Sequence, residues 1–366
     1  MLNFTQINNV VPRWISESHP SPVIISTRAR IARNIKNFPY LFRLTDKQSM
    51  DLLEKINSSL HQIPDLAGSY IFIKLSNQSH KFKQFLKERF LITDYLLKGE
   101  NKQIVIDRNE YMNIMINEED HLRIQVIYPG LNFRKAYQFI ESIESRLENI
   151  LEFDFNEEFG YLTSCPTNAG TGLRVSSMMH LIGLKLNSKI KQITDNLAGS
   201  GFTVRGFSGE GSKFLGAIYQ ISNQLSLGMN EKEILDKVEK VTLEIEKMEL
   251  LERKELLRNE PVIKNIMESF EVCKNSTALD FVSAMTHISM VKLGIDLKLV
   301  KTIPSANDMN KLLIMIQPMH IAFLNKENLK NIDIVNENKL RAKIIKDFLS
   351  TGEICLKSLQ QEPSRL

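Results

Sequence analysis

The chain has few cysteines, and their arrangement excludes two common stabilising devices. Cys165, Cys273 and Cys355 are odd in number and lie far apart. Such a set builds neither a disulfide framework nor a zinc site. It is typical of free thiols in a reducing compartment, so we expect a cytoplasmic protein.

Long apolar runs and targeting signals are also missing. No stretch approaches the roughly 20 apolar residues that a membrane-spanning helix needs, and the N-terminus lacks a basic region followed by an apolar run. The 47 Lys and Arg residues nearly balance 43 Asp and Glu, and this mixed charge argues against a general nucleic-acid binder. With 366 residues and no internal repeat, the chain is long enough for two globular domains.

The region 103–129 alternates apolar and polar residues. QIVID, MNIMIN and HLRIQVIYPG are typical of three successive antiparallel strands. In the third strand Arg123 and Gln125 share one face, opposite Leu122, Ile124 and Val126. Because helical patterns precede and follow these strands, we predict an α+β fold, a mainly antiparallel sheet flanked by helices.

Helical periodicity dominates the chain after residue 231. Apolar residues recur at 4-3-4-3 spacing through 231–259, and we expect Pro261 to stop this helix. The remaining tail is also helical in pattern, which predicts a separate, mostly helical C-terminal domain. We therefore divide the chain into an N-terminal segment, an α+β domain and this helical domain, at residues 1–20, 21–255 and 256–366.

Arginines stand where a surface helix would not place them. If ISTRAR is extended, Arg28 and Arg30 project from the same face of a strand. Arg123 follows the acidic run NEEDH, Arg174 follows GTGL, and Arg205 precedes GFSGEGS. Several guanidinium forks converging could hold a polyphosphate without the Walker loop that this chain lacks. Taken singly, each arginine fits an ordinary surface salt bridge better than a phosphate site.

The acidic run INEEDH follows an apolar strand. Its three adjacent carboxylates repel one another unless cations such as Arg123 neutralise them. A carboxylate held beside a guanidinium can orient it and take its proton during attack on an electrophile. The glycine-rich loop GSGFTVRGFSGEGS adds Glu210 in a segment that allows close approach and movement. The alternatives are a solvated turn and a plain surface loop.

Together these segments resemble a known family. ISTRARIARN, INEEDHLRIQ, GYLTSCPTNAGTGLR, VRGFSGEGS and ISNQLSLG occur in order and are similar to the motifs of the ATP:guanidino phosphotransferases, the phosphagen kinases. TSCPTN, VRGxxGEGS and QISNQ are most similar to the forms in the bacterial protein-arginine kinases of that family. The resemblance implies a phosphagen-kinase catalytic domain at 21–255, and docking, dimerisation or phosphoarginine sensing at 256–366.

The resemblance also implies roles for single residues. The five residues expected to clamp the ATP phosphates are Arg28, Arg30, Arg123, Arg174 and Arg205. Glu119 corresponds to the carboxylate that aligns the acceptor guanidinium and acts as base, Glu210 to a second such carboxylate, and Cys165 to a reactive thiol beside them. The wider nucleotide site is expected to include Ser26, Thr27, Ala29, Val175, Ser176, Ser177, Met178, Gly206, Phe207, Ser208 and Gly209, together with Glu210. Mg²⁺ is expected to be held through the ATP phosphates, with no metal ligand from the protein.

Two segments depart from the family pattern. Where a histidine near the adenine is common, ERFLIT places Phe90, whose ring could still stack on the base. Where the bacterial enzymes often carry RDxxRA, a phosphoarginine-sensing pattern, this chain has ENKLRA at 337–342 and keeps Arg341. ENKLRA is equally compatible with a plain helix segment.

The implied function is ATP-dependent phosphorylation of arginine in proteins, with roles in stress response, control of a transcription repressor and marking of proteins for degradation. The implied partners are protein substrates, a zinc-binding activator protein, a Clp-type chaperone-protease and a second copy of the chain. A kinase for free arginine or another small guanidine is one alternative, and a catalytically silent adaptor is another. Only 25 residues precede Ser26, too few for the helical domain that small-guanidine kinases place there, so we expect an acceptor site open to a polypeptide.

Overall fold

The computed structural model describes residue 7 and residues 9–207, 214–325 and 333–351. The strands in this part of the chain are β1 (Ile24–Arg33), β2 (Tyr70–Lys74), β3 (Gln103–Asp107), β4 (Met112–Ile116), β5 (Leu122–Pro129), β6 (Phe155–Asn156), β7 (Gly160–Tyr161), β8 (Leu173–His180), β9 (Phe202–Gly206) and β10 (Ile218–Asn223). Eight of them form one antiparallel sheet in the order β2-β3-β4-β5-β1-β8-β10-β9, and β6 pairs with β7 separately.

Helices cover this sheet and form the C-terminal region. Within the described ranges they are α1 (Arg13–Ser16), α2 (Asp46–His61), α3 (Pro64–Ser69), α4 (His80–Glu88), α5 (Phe133–Glu148), α6 (Ile182–Leu186), α7 (Ile190–Gly199), α8 (Glu231–Glu255), α9 (Glu260–Asn275), α10 (Phe281–Asp296), α11 (Leu312–Met315), α12 (Pro318–Leu324) and α13 (Ile334–Thr351). The predicted α+β class is confirmed. None of the described helices is long and apolar enough to cross a membrane.

The long helix ends differently from the prediction. α8 begins at a capping box formed by Asn230 and Glu233, and it ends at Glu255 in a short 3₁₀ turn. Pro261 lies in the first turn of α9, where Asn259 caps the helix by accepting from Val262 N at 3.2 Å. Proline suits a first turn because the N–H that it lacks would have no helical partner there. Pro261 therefore helps to begin a helix and does not stop one.

The central strands bury one face against α5 and α8. Ala29, Ile31, Val126 and Val175 point to this side and belong to the largest apolar cluster of the described residues. The alternation of a strand then places Arg28 and Arg30 on the opposite face. There Arg30 lies across from Gln125 on β5 and from Arg174 on β8, so the cations of three strands meet on one surface.

The C-terminal helices cover only one end of this second face. Ile127, Met178 and Ile218 lie there in one apolar cluster with residues of the tail, including Met285 of α10 and Ile345 of α13. The polar end of the same face remains open as a cleft. The helical tail thus completes the apolar half of the surface whose other half carries the arginines.

Candidate active site

A cleft of about 730 Å³ opens over the polar end of the sheet. All five arginines predicted to bind phosphate line it, together with Glu119, Cys165 and Phe90. These residues come from strands, turns and loops that are distant in sequence, and the antiparallel sheet brings them onto one surface. The sequence therefore predicted a set of residues that the fold assembles in one place.

The arginines of the cleft repel one another. Burial, and then the charges of Arg123, Arg174 and Arg205, lower the pKa of Arg28 to about 9. Burial and the neighbouring arginines also lower the pKa of Arg30 well below its usual range. The positive charge of both guanidinium groups is therefore held at an energetic cost. A bound polyanion would offset that cost, because its negatively charged oxygens attract the guanidinium groups that otherwise repel one another.

Neutral side chains orient two of these arginines. Arg28 donates to Gln220 Oε1 at 2.9 Å and to Ser176 Oγ at 3.4 Å. Arg174 donates to Ser222 Oγ at 2.9 and 3.2 Å. Amide and hydroxyl acceptors can orient a guanidinium without cancelling its positive charge. Sequence reasoning missed Gln220 and Ser222, although their alternation in YQISN is a signal for a shared strand face.

The acidic run is a tight, buried turn between β4 and β5. Asn117 adopts a φ of +57°, and Glu118 N donates to Asp120 O at 3.2 Å. The Asn117 side chain anchors the turn by donating to Ser49 and to Asn101 O. The interpretation of a solvated turn is wrong, since both Glu118 and Asp120 are buried.

Two of the three carboxylates are occupied within the protein. Glu118 pairs with Arg123 at 2.5 Å and accepts from Thr93 Oγ1 at 2.5 Å. Burial alone would raise its pKa, but Arg123 and the hydrogen bonds lower the pKa of Glu118 below its usual value. Asp120 accepts from Ser164 N at 2.6 Å and from Asn34 Nδ2 at 2.8 Å. Asp120 thereby fixes the loop that carries Cys165.

Glu119, like Glu118, lines the cleft, and it is the more exposed of the two. It is half-buried, and burial raises its pKa; the charges of Glu118 and Asp120 raise it further, while Arg123 and Arg30 oppose the shift. A carboxylate with a raised pKa is a better proton acceptor near neutral pH than an ordinary one. The position and the electrostatics of Glu119 both suit a base that faces a substrate cation.

The sequence matches two family models along its length. One is described as ATP:guanido phosphotransferase, C-terminal catalytic domain, and covers residues 51–252. The other is described as Protein-arginine kinase McsB C-terminal domain and covers residues 259–361. Over 336 residues the chain is 36% identical to a protein-arginine kinase of Clostridium acetobutylicum, and the aligned region covers 89% of this chain and 98% of that protein. A protein-arginine kinase of Staphylococcus haemolyticus is 34% identical, covering 94% of this chain and 99% of that protein.

The chain belongs to the ATP:guanido phosphotransferase family, among its protein-arginine kinases. It is an enzyme of the phosphotransferase class, and ATP is its phosphoryl donor. Solved structures show the same fold at low identity. Lombricine kinase has a TM-score of 0.57 and 22% identity, over 67% of this chain and 70% of that chain. The substrate-free duplicated taurocyamine kinase of Schistosoma mansoni has a TM-score of 0.55 and 23% identity, but this chain spans only 36% of that chain.

Within this kinase, part of the predicted nucleotide site faces away from the cleft. Thr27 is buried on the core side, where its hydroxyl donates to Gly130 O at 2.6 Å. The Ser177 hydroxyl is likewise bonded to Thr242 at 3.0 Å, and Ala29 and Val175 lie in the core. Alternation along a strand sends these four side chains to the other face, so their position gives the predicted role no support, and that role stays a prediction.

Three other predicted residues point to the cleft side of the sheet. They line a small recess beside Arg28 and are Ser26, Ser176 and Met178. Gly206 ends β9, and Phe207 follows it in the cleft wall. Ser208, Gly209 and Glu210 lie outside the described residues. The roles of these residues stay predictions.

Phe90 stands where the apolar cluster under the C-terminal helices meets the arginine-lined cleft. Its backbone has a φ of +63°, and its carbonyl accepts from Gln125 Nε2 at 2.8 Å. Its ring lies edge-on to Trp14 and Phe207, with centroid separations of 5.7 and 5.3 Å. The ring is thus held by packing in the cleft wall, and its stacking on adenine stays a prediction.

The loop before β8 presents Cys165 to the cleft. The thiol is half-buried and lies 3.0 Å from Thr167 Oγ1. The glycines of this loop serve close backbone packing: a Cβ on Gly160 would lie 2.7 Å from Gly170 O. Two hydrogen bonds between Tyr161 and Gly170 hold the two segments together. The thiol therefore stands on a fixed loop and lines the same cleft as Glu119.

Arg341 is an internal anchor of the C-terminal region. Its side chain is 0% exposed, and it donates to Ile316 O at 2.8 Å and to Leu279 O at 3.0 Å. The same guanidinium pairs with Glu337 and bonds to Asn338. Binding of phosphoarginine needs an accessible guanidinium, so this geometry gives the sensing prediction no support.

A buried network that sequence reasoning missed joins the cleft to the C-terminal helices. Glu88, in the cleft wall, accepts from Met319 N and His320 N at the start of α12, at 3.0 and 3.1 Å. Arg89 Nη1 donates to His320 Nε2 at 3.0 Å, so His320 Nδ1–H is directed to Glu88. Arg89 also pairs with buried Glu110. No local pattern signals a contact between segments so distant in sequence.

Proposed function

We propose that this protein transfers the γ-phosphoryl group of ATP to the guanidinium group of arginine residues in proteins, giving phosphoarginine. The observation that carries the proposal is the meeting, in one cleft, of mutually repelling arginines with a half-buried carboxylate of raised pKa, Glu119. The first feature suits a polyphosphate and the second suits a cationic acceptor. The relatives named protein-arginine kinase support arginine in proteins as that acceptor.

The nucleotide half of the reaction needs alignment and charge neutralisation. Phosphoryl transfer passes through a loose transition state whose charge lies on oxygen atoms, so donors fixed in advance stabilise it. In our proposal Arg28, Arg30, Arg123, Arg174 and Arg205 bind those oxygens. Gln220 and Ser222 hold two of these arginines in place before ATP arrives.

The acceptor half of the reaction needs a base. An arginine side chain stays protonated in proteins, so its nitrogen becomes a nucleophile only as a proton leaves. We propose that Glu119 aligns the guanidinium and takes that proton while the nitrogen–phosphorus bond forms and the bond from phosphorus to the ADP oxygen breaks. Cys165 adjusts the position of the acceptor, and Glu210 supplies the second carboxylate.

Magnesium fits this site as a companion of the nucleotide. Among the described residues, no group of three or more His, Cys, Asp or Glu side chains is arranged to hold a metal. Guanidinium groups cannot be ligands, and Glu118 is committed to Arg123. Magnesium is commonly bound through substrate phosphates and water with few protein carboxylates. We propose that it is carried by ATP phosphates, where it adds to charge neutralisation.

The wider biological setting stays a prediction of the family resemblance. It comprises a cytoplasmic location and roles in stress response, repressor control and degradation marking. The partners predicted with it are a zinc-binding activator protein, a Clp-type chaperone-protease and a second copy of this chain.

The proposed acceptor can be tested directly. Purified enzyme is incubated with ATP, Mg²⁺ and either an unfolded basic protein or millimolar free arginine. Products are measured by mass spectrometry without acid, because the phosphorus–nitrogen bond is acid-labile. We expect phosphoarginine in the protein, negligible turnover of free arginine, and no product with Glu119→Gln. Comparable efficiency on free arginine would favour the small-guanidine kinase instead.

A further inference from the structure

The short hairpin formed by β6 and β7 carries exposed aromatic side chains. Phe155 and Phe159 are 57% and 46% exposed. A single exposed aromatic residue is unremarkable, but this one small element exposes two of them. The tip is ordered, since Asn156 Oδ1 accepts from Glu158 N at 2.9 Å and from Phe159 N at 3.1 Å. We call residues 155–161 the acidic hairpin.

The acidic hairpin is firmly attached to the body of the enzyme. The Tyr161 ring lies 5.2 Å from the Phe155 ring and supports the Arg33 guanidinium, which lies 3.5 Å above it. Leu162 N donates to Asp154 O at 2.9 Å, and Asp154 N donates to Asn34 O at 2.8 Å. The acidic hairpin is therefore a preformed surface, which binds a partner at a lower entropic cost than a loop that must first become ordered.

The chain runs directly from this hairpin to the acceptor end of the cleft. Cys165 follows Phe159 by six positions, which limits the two Cα atoms to about 20 Å apart. Between them Ser164 N is fixed by Asp120, the neighbour of Glu119. An extended peptide with its arginine in the cleft could therefore reach the hairpin with residues within about six positions of that arginine.

The charge of the hairpin complements such a peptide. In the segment 152–158, EFDFNEE, Glu152 pairs with Lys36 and Asp154 accepts from Tyr40, so the acidic side chains offered at the tip are the next two along the chain. Glu157 and Glu158 are exposed at the tip beside the two phenylalanines. A surface that combines aromatic rings with carboxylates favours a partner with both apolar and basic side chains.

Resting on the proposed function, we propose that the acidic hairpin docks the polypeptide on either side of the acceptor arginine, and selects segments with an apolar and a basic residue within about six positions of it. In folded proteins apolar side chains are mostly buried. The surface therefore favours unfolded or extended segments, which display both kinds of side chain at once. The substrate class would be unfolded basic polypeptide.

Two heptapeptides with a central arginine test this docking. In one peptide the flanking residues are all glycine, and in the other they include one phenylalanine and one lysine. We expect the wild-type enzyme to prefer the second peptide in kcat/KM by roughly 5–30-fold, the effect of one or two anchoring contacts. The double variant Phe155→Ser/Phe159→Ser should lose most of this preference through KM, with kcat at saturation unchanged. Glu157→Lys/Glu158→Lys should lose the part that depends on lysine.

Matched controls are Ile303→Ser, an apolar side chain that is 71% exposed in the C-terminal region, and Glu268→Lys on the surface of α9. Both should keep the wild-type preference. The docking assignment is overturned if the hairpin variants behave like these controls, or if sedimentation shows that they alter only self-association. Phosphoarginine formed on an unfolded protein by the wild-type enzyme would still support the proposed function in that case. Failure of the wild-type enzyme on every protein and peptide would instead reject the proposed function itself.

Discussion

Glu118 Oε1 lies 2.5 Å from Arg123 Nη1, and the two side chains are 1% and 11% exposed. The pair fixes one wall of the arginine-rich cleft, and Glu118 also relieves part of the repulsion at Arg30. Such a carboxylate makes it possible to fold a cluster of cations before the anionic ligand arrives. The stability of the enzyme and its affinity for nucleotide are therefore linked through Glu118.

Glu118→Gln tests this link. Removing one partner of a buried ion pair leaves a buried charge and costs about 3–5 kcal/mol, so the free energy of unfolding without nucleotide should fall. Saturating ATP should recover more stability in the variant than in the wild type, because phosphate replaces the missing carboxylate. Urea unfolding with and without nucleotide measures both effects. The control is Glu255→Gln, since its pairing with Arg258 is exposed. An equal gain from ATP in variant and wild type would show that Glu118 does not offset the arginine charges.

Arg174→Ala should weaken ATP binding strongly while leaving the fold intact. One lost charge-assisted hydrogen bond costs about 1.5–3 kcal/mol, so the dissociation constant should rise roughly 10–150-fold. Ser222→Ala removes only the group that orients Arg174 and should have a smaller effect in the same direction. Calorimetric titration with ATP gives both values. Unchanged affinity in Arg174→Ala would remove Arg174 from the nucleotide site.

Glu119→Gln should abolish phosphoryl transfer with little change in ATP affinity, because the amide keeps the size of the side chain but accepts no proton. The wild-type rate should fall as pH decreases through the raised pKa of Glu119, since the protonated acid cannot act as a base. Rates of peptide phosphorylation measured across pH test this fall in activity at low pH. A wild-type rate in Glu119→Gln would place the base elsewhere.

Strand alternation is a local property, which is why the cleft-side positions of Arg28, Arg30 and Arg123 could be predicted from the sequence. The same alternation shows why contiguous motif blocks overestimate a site. Thr27 and Val175 stand inside the motifs, yet their side chains face the core. A sequence motif includes every residue of its strand, whereas only every second side chain points to the ligand side of the sheet.

The buried polar contacts could not be predicted in this way. Glu88 and His320 are 232 positions apart and meet only because α12 packs against the end of α4. In the acidic run, adjacent carboxylates look equivalent in sequence. Only the turn geometry pairs Glu118 with an arginine, gives Asp120 a loop N–H and places Glu119 half-buried at the cleft.

The titration of Glu88 should make the docking of the C-terminal helices depend on pH. Burial raises the pKa of Glu88 to about 8, and Glu337 adds to the rise, while Arg341 and the hydrogen bonds from Met319 and His320 oppose it. The folded protein thus holds a proton that the unfolded chain loses near pH 4.5. This contribution to stability is complete below that value and is lost as pH rises through about 8.

Glu88→Gln isolates the effect because it removes the titration and keeps an acceptor for α12. His320, whose pKa burial and Arg89 hold well below its usual value, changes stability only below about pH 6.5, where an unfolded histidine gains a proton. Burial lowers the pKa of Lys292 to about 7. Its titration changes stability above that pH, and it does so in both the variant and the wild type. The informative quantity is the difference in free energy of unfolding between variant and wild type, measured in urea from pH 6.5 to 8. It should shift in favour of the variant as pH rises, by at most about 1.4 kcal/mol per pH unit. A difference independent of pH in that range, like that expected for exposed Glu268→Gln, would show that Glu88 is already ionised when it caps α12.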